Sequence, residues 1–363
     1  MQYDKSIDRI RGFLVLIMVY CHVLQFFGNG GAFPAVLRII DVINVLAFPT
    51  FVFCFGRSSA VAYLQRPFKK AAPRLLKVML TMYAVFVLSG LGFRIIREHA
   101  PFNTITVEKV LLLSDIPGWS EFLAGFAAFA LLVLIFFKPL KWLSTRFVPT
   151  LIVSLVSLGL CFFPYDLIKA PQIGLFIGTR SFASFPVVQY AAYLLAGIYW
   201  QTSRKHGLTW SIIGLCATAA GVVYTAVSGL PERFPPSLPW VLLTGFSPVA
   251  LSFLMAKIGS LPPVLRETDG WLRNVGRKSL FYLLASNLTI FTLAGLKAAP
   301  QVTKRDIWFW KQSIASPWGA LLWTAILIAV IGIVASLAGR SSEKADKKPR
   351  ETEKAAPAAA PVP

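Results

Sequence analysis

Long apolar runs follow one another along this chain, separated by short charged or Gly/Pro-rich stretches, and lipid is the one solvent that suits them. Mean hydropathy is +0.65, with 56% hydrophobic and 14% charged residues in 363, more apolar surface than one soluble core of this length buries. The runs fall at 10–27, 38–60, 73–92, 118–137, 147–163, 182–200, 208–227, 238–258, 279–299 and 317–337. At about 20 residues per crossing, ten spans use roughly 200 residues and leave short loops. The expected fold is therefore an all-α polytopic integral membrane bundle of about ten transmembrane helices, running through residues 1–339.

A net charge of +20 would suggest nucleic acid in a soluble protein, but here the cations lie between apolar runs and act as topology signals, so no nucleic-acid partner is expected. With the N-terminus inside, the inner segments hold 25 of the 36 Lys and Arg, and still most of them without the tail. Both ends are thus expected in the cytoplasm; the expected location, a separate reading that the charge count does not decide, is multi-pass in a bacterial plasma membrane. The first run lacks a small-residue cleavage site and reads as a span, not a cleaved signal peptide. Residues 340–363, rich in Ser, Glu, Lys, Ala and Pro, read as a disordered cytoplasmic tail. The four Cys have no metal-ligand spacing, and no metal is expected. Trp119, Trp142, Trp200, Trp240 and Trp318 fall near span ends and read as interfacial rings without a catalytic role. Gly28-Asn29-Gly30-Gly31 reads as a turn.

The first span carries the chemistry. Arg11 and His22 are eleven residues apart, which returns to within roughly 20° of the same helix face and rises about 16 Å. Arg11 lies at the inner edge, where a cation is ordinary positive-inside anchoring. His22 lies past the middle of the membrane, where an ionisable group is costly and faces a neighbouring helix or a wet cavity. His99 and His206 fall in loops.

The stretch from Ser6 to His22, SIDRIRGFLVLIMVYCH, resembles the opening helix of membrane acyltransferase family 3, whose signature is an Arg and a His separated by ten residues with an Asp three before the Arg. Asp8, Arg11 and His22 stand at those positions. The segment AFPTFVFCFGRSSAVAYL from Ala47 is similar to a motif of the heparan-glucosaminide N-acetyltransferase group, and NVGRKSLFYLL from Asn274 is similar to a further family-3 motif. The resemblance implies transfer of an acyl group, acetyl above all, from cytoplasmic acyl-CoA to a hydroxyl of a glycan or lipid-linked sugar on the far side. It implies His22 as base or acyl carrier, assisted by Asp8, and Arg11 as a ligand for the donor. Such roles are chemically apt: a neutral imidazole takes a proton from a hydroxyl, and a guanidinium binds phosphate in a bidentate fashion.

Other candidates are placed by depth. Arg57, Lys69 and Arg74, in and beside the basic stretch after the second span, are candidates for the donor's phosphates, with inner-side anchoring as the plainer role. Asp41, Asn44, Ser286 and Asn287 reach the middle to outer membrane and are candidates to line the cavity of His22, with Asp41, Asn44 and Asn287 as candidates for the acceptor; Glu121, near the outer edge, is a candidate to polarise the imidazole or to bind the acceptor. Interhelical hydrogen bonding is the plainer role for each. Two further readings stand beside O-acylation: N-acetylation of an amino sugar, and transport of a lipid-linked sugar without covalent chemistry.

Overall fold

The structure, a computed structural model of the chain, describes residues 4–203, 207–258, 266–298 and 314–354. His206, Arg204 and Lys205 lie outside the described residues. Among those described the chain is entirely helical. Seven segments are long and apolar enough to cross a membrane: Lys5–Phe27, Ala35–Leu64, Phe68–Arg97, Gly207–Ser228, Leu238–Ile258, Ser279–Leu296 and Pro317–Leu337. An eighth, Glu121–Ile135 with Phe137–Leu143, is bent by 83° at Phe136. The protein is thus a polytopic helical membrane protein.

The remaining expected spans are shorter. The helices are named α1 (Lys5–Phe27), α2 (Ala35–Ser59), α3 (Phe68–Gly92), α4 (Thr104–Leu111), α5 (Glu121–Ile135), α6 (Phe137–Leu143), α7 (Phe147–Gly159), α8 (Pro171–Ile177), α9 (Val187–Thr202), α10 (Gly207–Ser228), α11 (Leu238–Leu243), α12 (Ser247–Ile258), α13 (Arg266–Arg277), α14 (Ser279–Ala298) and α15 (Pro317–Lys354). The 13 residues of α7 rise roughly 20 Å, less than a hydrocarbon core, and α9 begins at Val187 because Pro186 cannot continue a helix inward. α5 stops at Ile135, and α6 turns Lys138 and Lys141 aside at an angle. Helical backbone in α15 continues to Lys354, into the stretch that composition marks for disorder.

Local chemistry starts and joins these helices. Asp4 caps α1 by accepting from the Ser6 amide at 2.9 Å. Beyond Gly28 the chain turns, with the Asn29 side-chain oxygen accepting from the Gly31 and Ala32 amides and the Asn29 backbone N–H donating to the Ala315 carbonyl. Pro49 sits within α2 and, having no N–H, frees the Val45 carbonyl one turn back; Ser247 Oγ, whose shorter bond of 2.9 Å goes to the Thr244 carbonyl, lies 3.4 Å from it.

Two crossings set the bundle. α2 packs on α9 where Gly56 faces the Leu194 carbonyl and Gly197 faces that of Phe53, so a Cβ at either would collide with backbone. α13, short and amphipathic, packs on α1 where Gly12 meets the Leu272 carbonyl and Gly276 that of Asp8. Lipid gives helices little hydrophobic reason to associate, so such close backbone approach is how dispersion contacts accumulate. Outward faces stay apolar, with Leu37, Leu80, Val156, Val223, Leu322 and Ile333 exposed, as a lipid solvent requires.

Candidate functional site

His22 opens onto a cavity of about 170 Å³ between α1, α2, the start of α5, α14 and the loop before α11. Its Nδ1 lies 3.0 Å from Asn287 Oδ1. Which atom carries the proton follows from the other end of the amide. Asn287 Nδ2 donates to the Trp119 carbonyl at 3.2 Å, and to Ser89 Oγ at 3.4 Å. A carbonyl only accepts, so the NH2 group must face Trp119 and the amide oxygen must face His22. Oδ1 in turn only accepts, so Nδ1 carries the hydrogen and Nε2 keeps its lone pair. Nε2 has no hydrogen-bond partner among the described residues.

The Trp119 carbonyl is aimed by an uncommon backbone. Trp119 has φ of +60°, a left-handed conformation that a bulky side chain adopts only when its surroundings enforce it. Its indole donates to Gln25 Oε1 at 2.8 Å, and its ring centroid lies 4.5 Å from that of Phe26 and 5.3 Å from that of Phe93. Ser120 Oγ, next in the chain, bonds Ser89 Oγ at 2.9 Å. Trp119 therefore orients Asn287; the interfacial reading from its position near a span end misses this.

Glu121 and Asn44 also line the cavity, and Glu121 Oε2 and Asn44 Nδ2 are both buried without a hydrogen-bond partner. Two unsatisfied polar atoms in one cavity are costly unless a ligand or water meets them. Arg233, from the loop between α10 and α11, reaches the same cavity, and burial holds its guanidinium below the usual arginine pKa. Asp41 is not a lining residue, and Ser286 donates back to the Leu283 carbonyl on its own helix.

A second cavity, of about 360 Å³, lies toward the N-terminal end of α1. Arg11, Lys77 and Arg277 line it, together with Phe51, Phe55 and Tyr63. Arg11 donates to Ser279 Oγ at 2.9 Å. Asp8, 1% exposed, accepts from Arg277 Nε at 3.0 Å, so it is brought to this cavity's rim and not to His22. Phe122, Leu123 and Leu283 line both cavities and form the septum between them.

The other expected donor ligands stand elsewhere. Arg57 is 2% exposed inside the bundle, bonded to Asp4 at 2.6 Å, Gln201 at 3.1 Å, Ser252 at 3.3 Å and Ser6 at 3.2 Å. Its guanidinium joins the first residues described to α2, α9 and α12, and Arg57 lines neither cavity. Lys69 and Arg74 are exposed and line neither cavity. Of the basic stretch, Lys77 is the cation that enters one. Arg233, Gln25 and Trp119 carried no periodic signal, although a lone Arg in a Pro/Phe loop on the cation-poor side is a cue. Among the described residues no three His, Cys, Asp or Glu side chains gather as metal ligands do.

Comparison with protein-family models, curated proteins and solved structures returned no match, so the likeness to acyltransferase family 3 rests on the quoted motif residues themselves.

Proposed function

We propose that this chain is a membrane acyltransferase that moves an acyl group, acetyl first among them, from acyl-CoA to a hydroxyl of a glycan or lipid-linked sugar. The observation that carries this reading is the Trp119–Asn287–His22 chain of hydrogen bonds, which leaves Nε2 a base inside a cavity. In this reading α5 with α6, α7 and α9 are crossings too, giving ten spans with both ends in the cytoplasm of a bacterium. The Arg11 cavity then opens inward and the His22 cavity outward.

The donor's phosphates would bind Arg11, Lys77 and Arg277, with its thioester directed at the septum. As the acceptor oxygen attacks the thioester carbonyl carbon, its proton passes to His22 Nε2. The tetrahedral intermediate collapses with cleavage of the C–S bond, and the thiolate of coenzyme A leaves, recovering that proton. Asn287 stabilises the imidazolium between these steps because its oxygen accepts from Nδ1 throughout. Asp8 contributes by position, holding Arg277 at the donor cavity.

Two cavities separated by a thin septum also suit a transporter of lipid-linked sugars, and one experiment separates the two. Purified chain in proteoliposomes receives labelled acetyl-CoA with membrane glycan as acceptor. Label on glycan that disappears in His22→Ala supports transfer; glycan crossing the bilayer with no label supports transport and overturns the proposal.

A further inference from the structure

The His22 cavity holds a charge that the proposed chemistry does not use. Arg233 takes part in none of the ion pairs among the described residues. The carboxylate beside it, Glu232, is held by Arg180 at 3.5 Å, and Arg180 also takes Asp166 at 3.2 Å. Asp41 and Glu121 act on Arg233 through space without reaching ion-pair distance. The guanidinium carbon lies 4.2 Å from the Phe234 ring centroid, a cation–π contact, and Arg233 lines the cavity. Arg233 is half-buried, so its guanidinium is only partly desolvated, and without an anion at ion-pair distance it is left poised for an anionic ligand in the cavity.

The cavity wall has the complementary donors and acceptors. Asn44 Nδ2 is a second donor without a partner. Glu121 Oε2 is an acceptor without a partner, and His22 Nε2 is the free base. Trp119, Phe48 and Tyr190 supply aromatic wall between them, the surface on which the apolar face of a sugar ring rests. A neutral sugar would satisfy Glu121 and Asn44 but leave the charge of Arg233 unpaired.

Resting on the acyl-transfer reading, we propose that the acceptor is an anionic sugar. Its phosphate or carboxylate pairs with Arg233, and a hydroxyl is presented to His22 Nε2 beside Glu121. Arg233 is then the specificity determinant of the acceptor side. The charge pair forms only with an anionic acceptor and draws it from neutral glycans by a factor of at least ten, the scale of one charge-assisted hydrogen bond.

His22 is its own reporter. The purified full chain is treated with diethyl pyrocarbonate, and the rate of His22 modification is followed by peptide mass spectrometry with glucose, glucose 6-phosphate, glucuronate or inorganic phosphate present. The two anionic sugars are expected to slow modification fivefold or more at concentrations where glucose has no effect. Protection by glucose 6-phosphate alone, or by glucuronate alone, assigns the anion as phosphate or carboxylate. Arg233→Gln should raise the protective concentration at least tenfold and Arg233→Lys by less, each against its own unprotected rate. Equal protection by glucose, protection by no sugar or by inorganic phosphate alone, or protection indifferent to Arg233→Gln overturns the proposal. This test needs no turnover: anion protection without labelled acetyl transfer refutes the transfer reading alone, and transfer that is blind to acceptor charge refutes the inference alone.

Discussion

Asn287→Leu tests the orientation of His22 with nearly the same side-chain volume. The substitution removes the Nδ1–H···Oδ1 bond of 3.0 Å and frees the ring to take either tautomer. A buried hydrogen bond of this kind contributes about 1–3 kcal/mol once the stranded partner is included. At about 1.4 kcal/mol per tenfold, transfer should slow roughly 5- to 150-fold. His22→Ala removes the base altogether and should cost about 10²- to 10⁴-fold. Because Asn287 acts only through His22, the double variant should be no slower than His22→Ala, a strong departure from additivity. The assay is the initial rate of labelled acetyl transfer from acetyl-CoA to membrane glycan, per amount of monodisperse protein. That normalisation matters, since leucine also strands the Trp119 carbonyl and should lower thermal stability. Unchanged transfer in Asn287→Leu, or losses that multiply in the double variant, would refute the dyad.

Further expectations follow from the second cavity and the helix that borders it. Arg277→Ala should raise KM for acetyl-CoA roughly 10- to 100-fold, the range for a lost charged hydrogen bond, with kcat little changed. Asp8→Ala should raise it by about fivefold, because Arg277 is 59% exposed and its pair with Asp8 is partly screened; an effect confined to kcat would return Asp8 to the chemistry. Leu283→Ala thins the septum and should shift the butyryl-CoA to acetyl-CoA rate ratio upward by about tenfold, since one methylene in an apolar pocket is worth about 1–3 kcal/mol; no shift would place the acyl path elsewhere. Arg9 of α1 holds the carboxyl of Asp269 on α13 below the usual carboxylate range through their 2.5 Å pair. A depressed carboxylate stabilises the fold above its unfolded pKa of about 3.9, and the contribution is lost as pH falls through the folded value below that. Thermal melts should therefore fall more steeply with acidification below about pH 4 in the parent than in Arg9→Gln, and parallel curves would remove this pair from the account.

The first helix is the most legible part of the chain. The eleven steps from Arg11 to His22 are enough to put both on the side of α1 that faces α5 and α14, because helix geometry alone decides it. Apolar length likewise marks seven crossings. It does not register the bend at Phe136 or the shortness of α7, which depend on where a chain meets its neighbours and the interface. Depth placed Asn44, Glu121 and Asn287 at the cavity, but depth has no azimuth, so Asp41 and Ser286 were grouped with them. Arg57 shows the same limit in charge: as a cation at a span's inner end it is indistinguishable from a donor ligand, until Asp4 and Gln201 are seen to enclose it. Trp119 and Arg233 escape helical periodicity, one placed by a left-handed backbone and the other by a loop whose lone cation is its only cue.

In the proposed reaction His22 Nε2 takes the acceptor's proton in one cavity while the acyl group arrives from coenzyme A bound in the other, so transfer runs from one side of the membrane to the other. The most direct measurement uses sealed vesicles of known orientation, with labelled acetyl-CoA supplied to the Arg11 face and membrane glycan available on the opposite face. Label is expected on the glycan of the opposite face, dependent on intact His22 and absent when acetyl-CoA is supplied to the other side. Label that persists in His22→Ala, or that appears equally from either face, would contradict it.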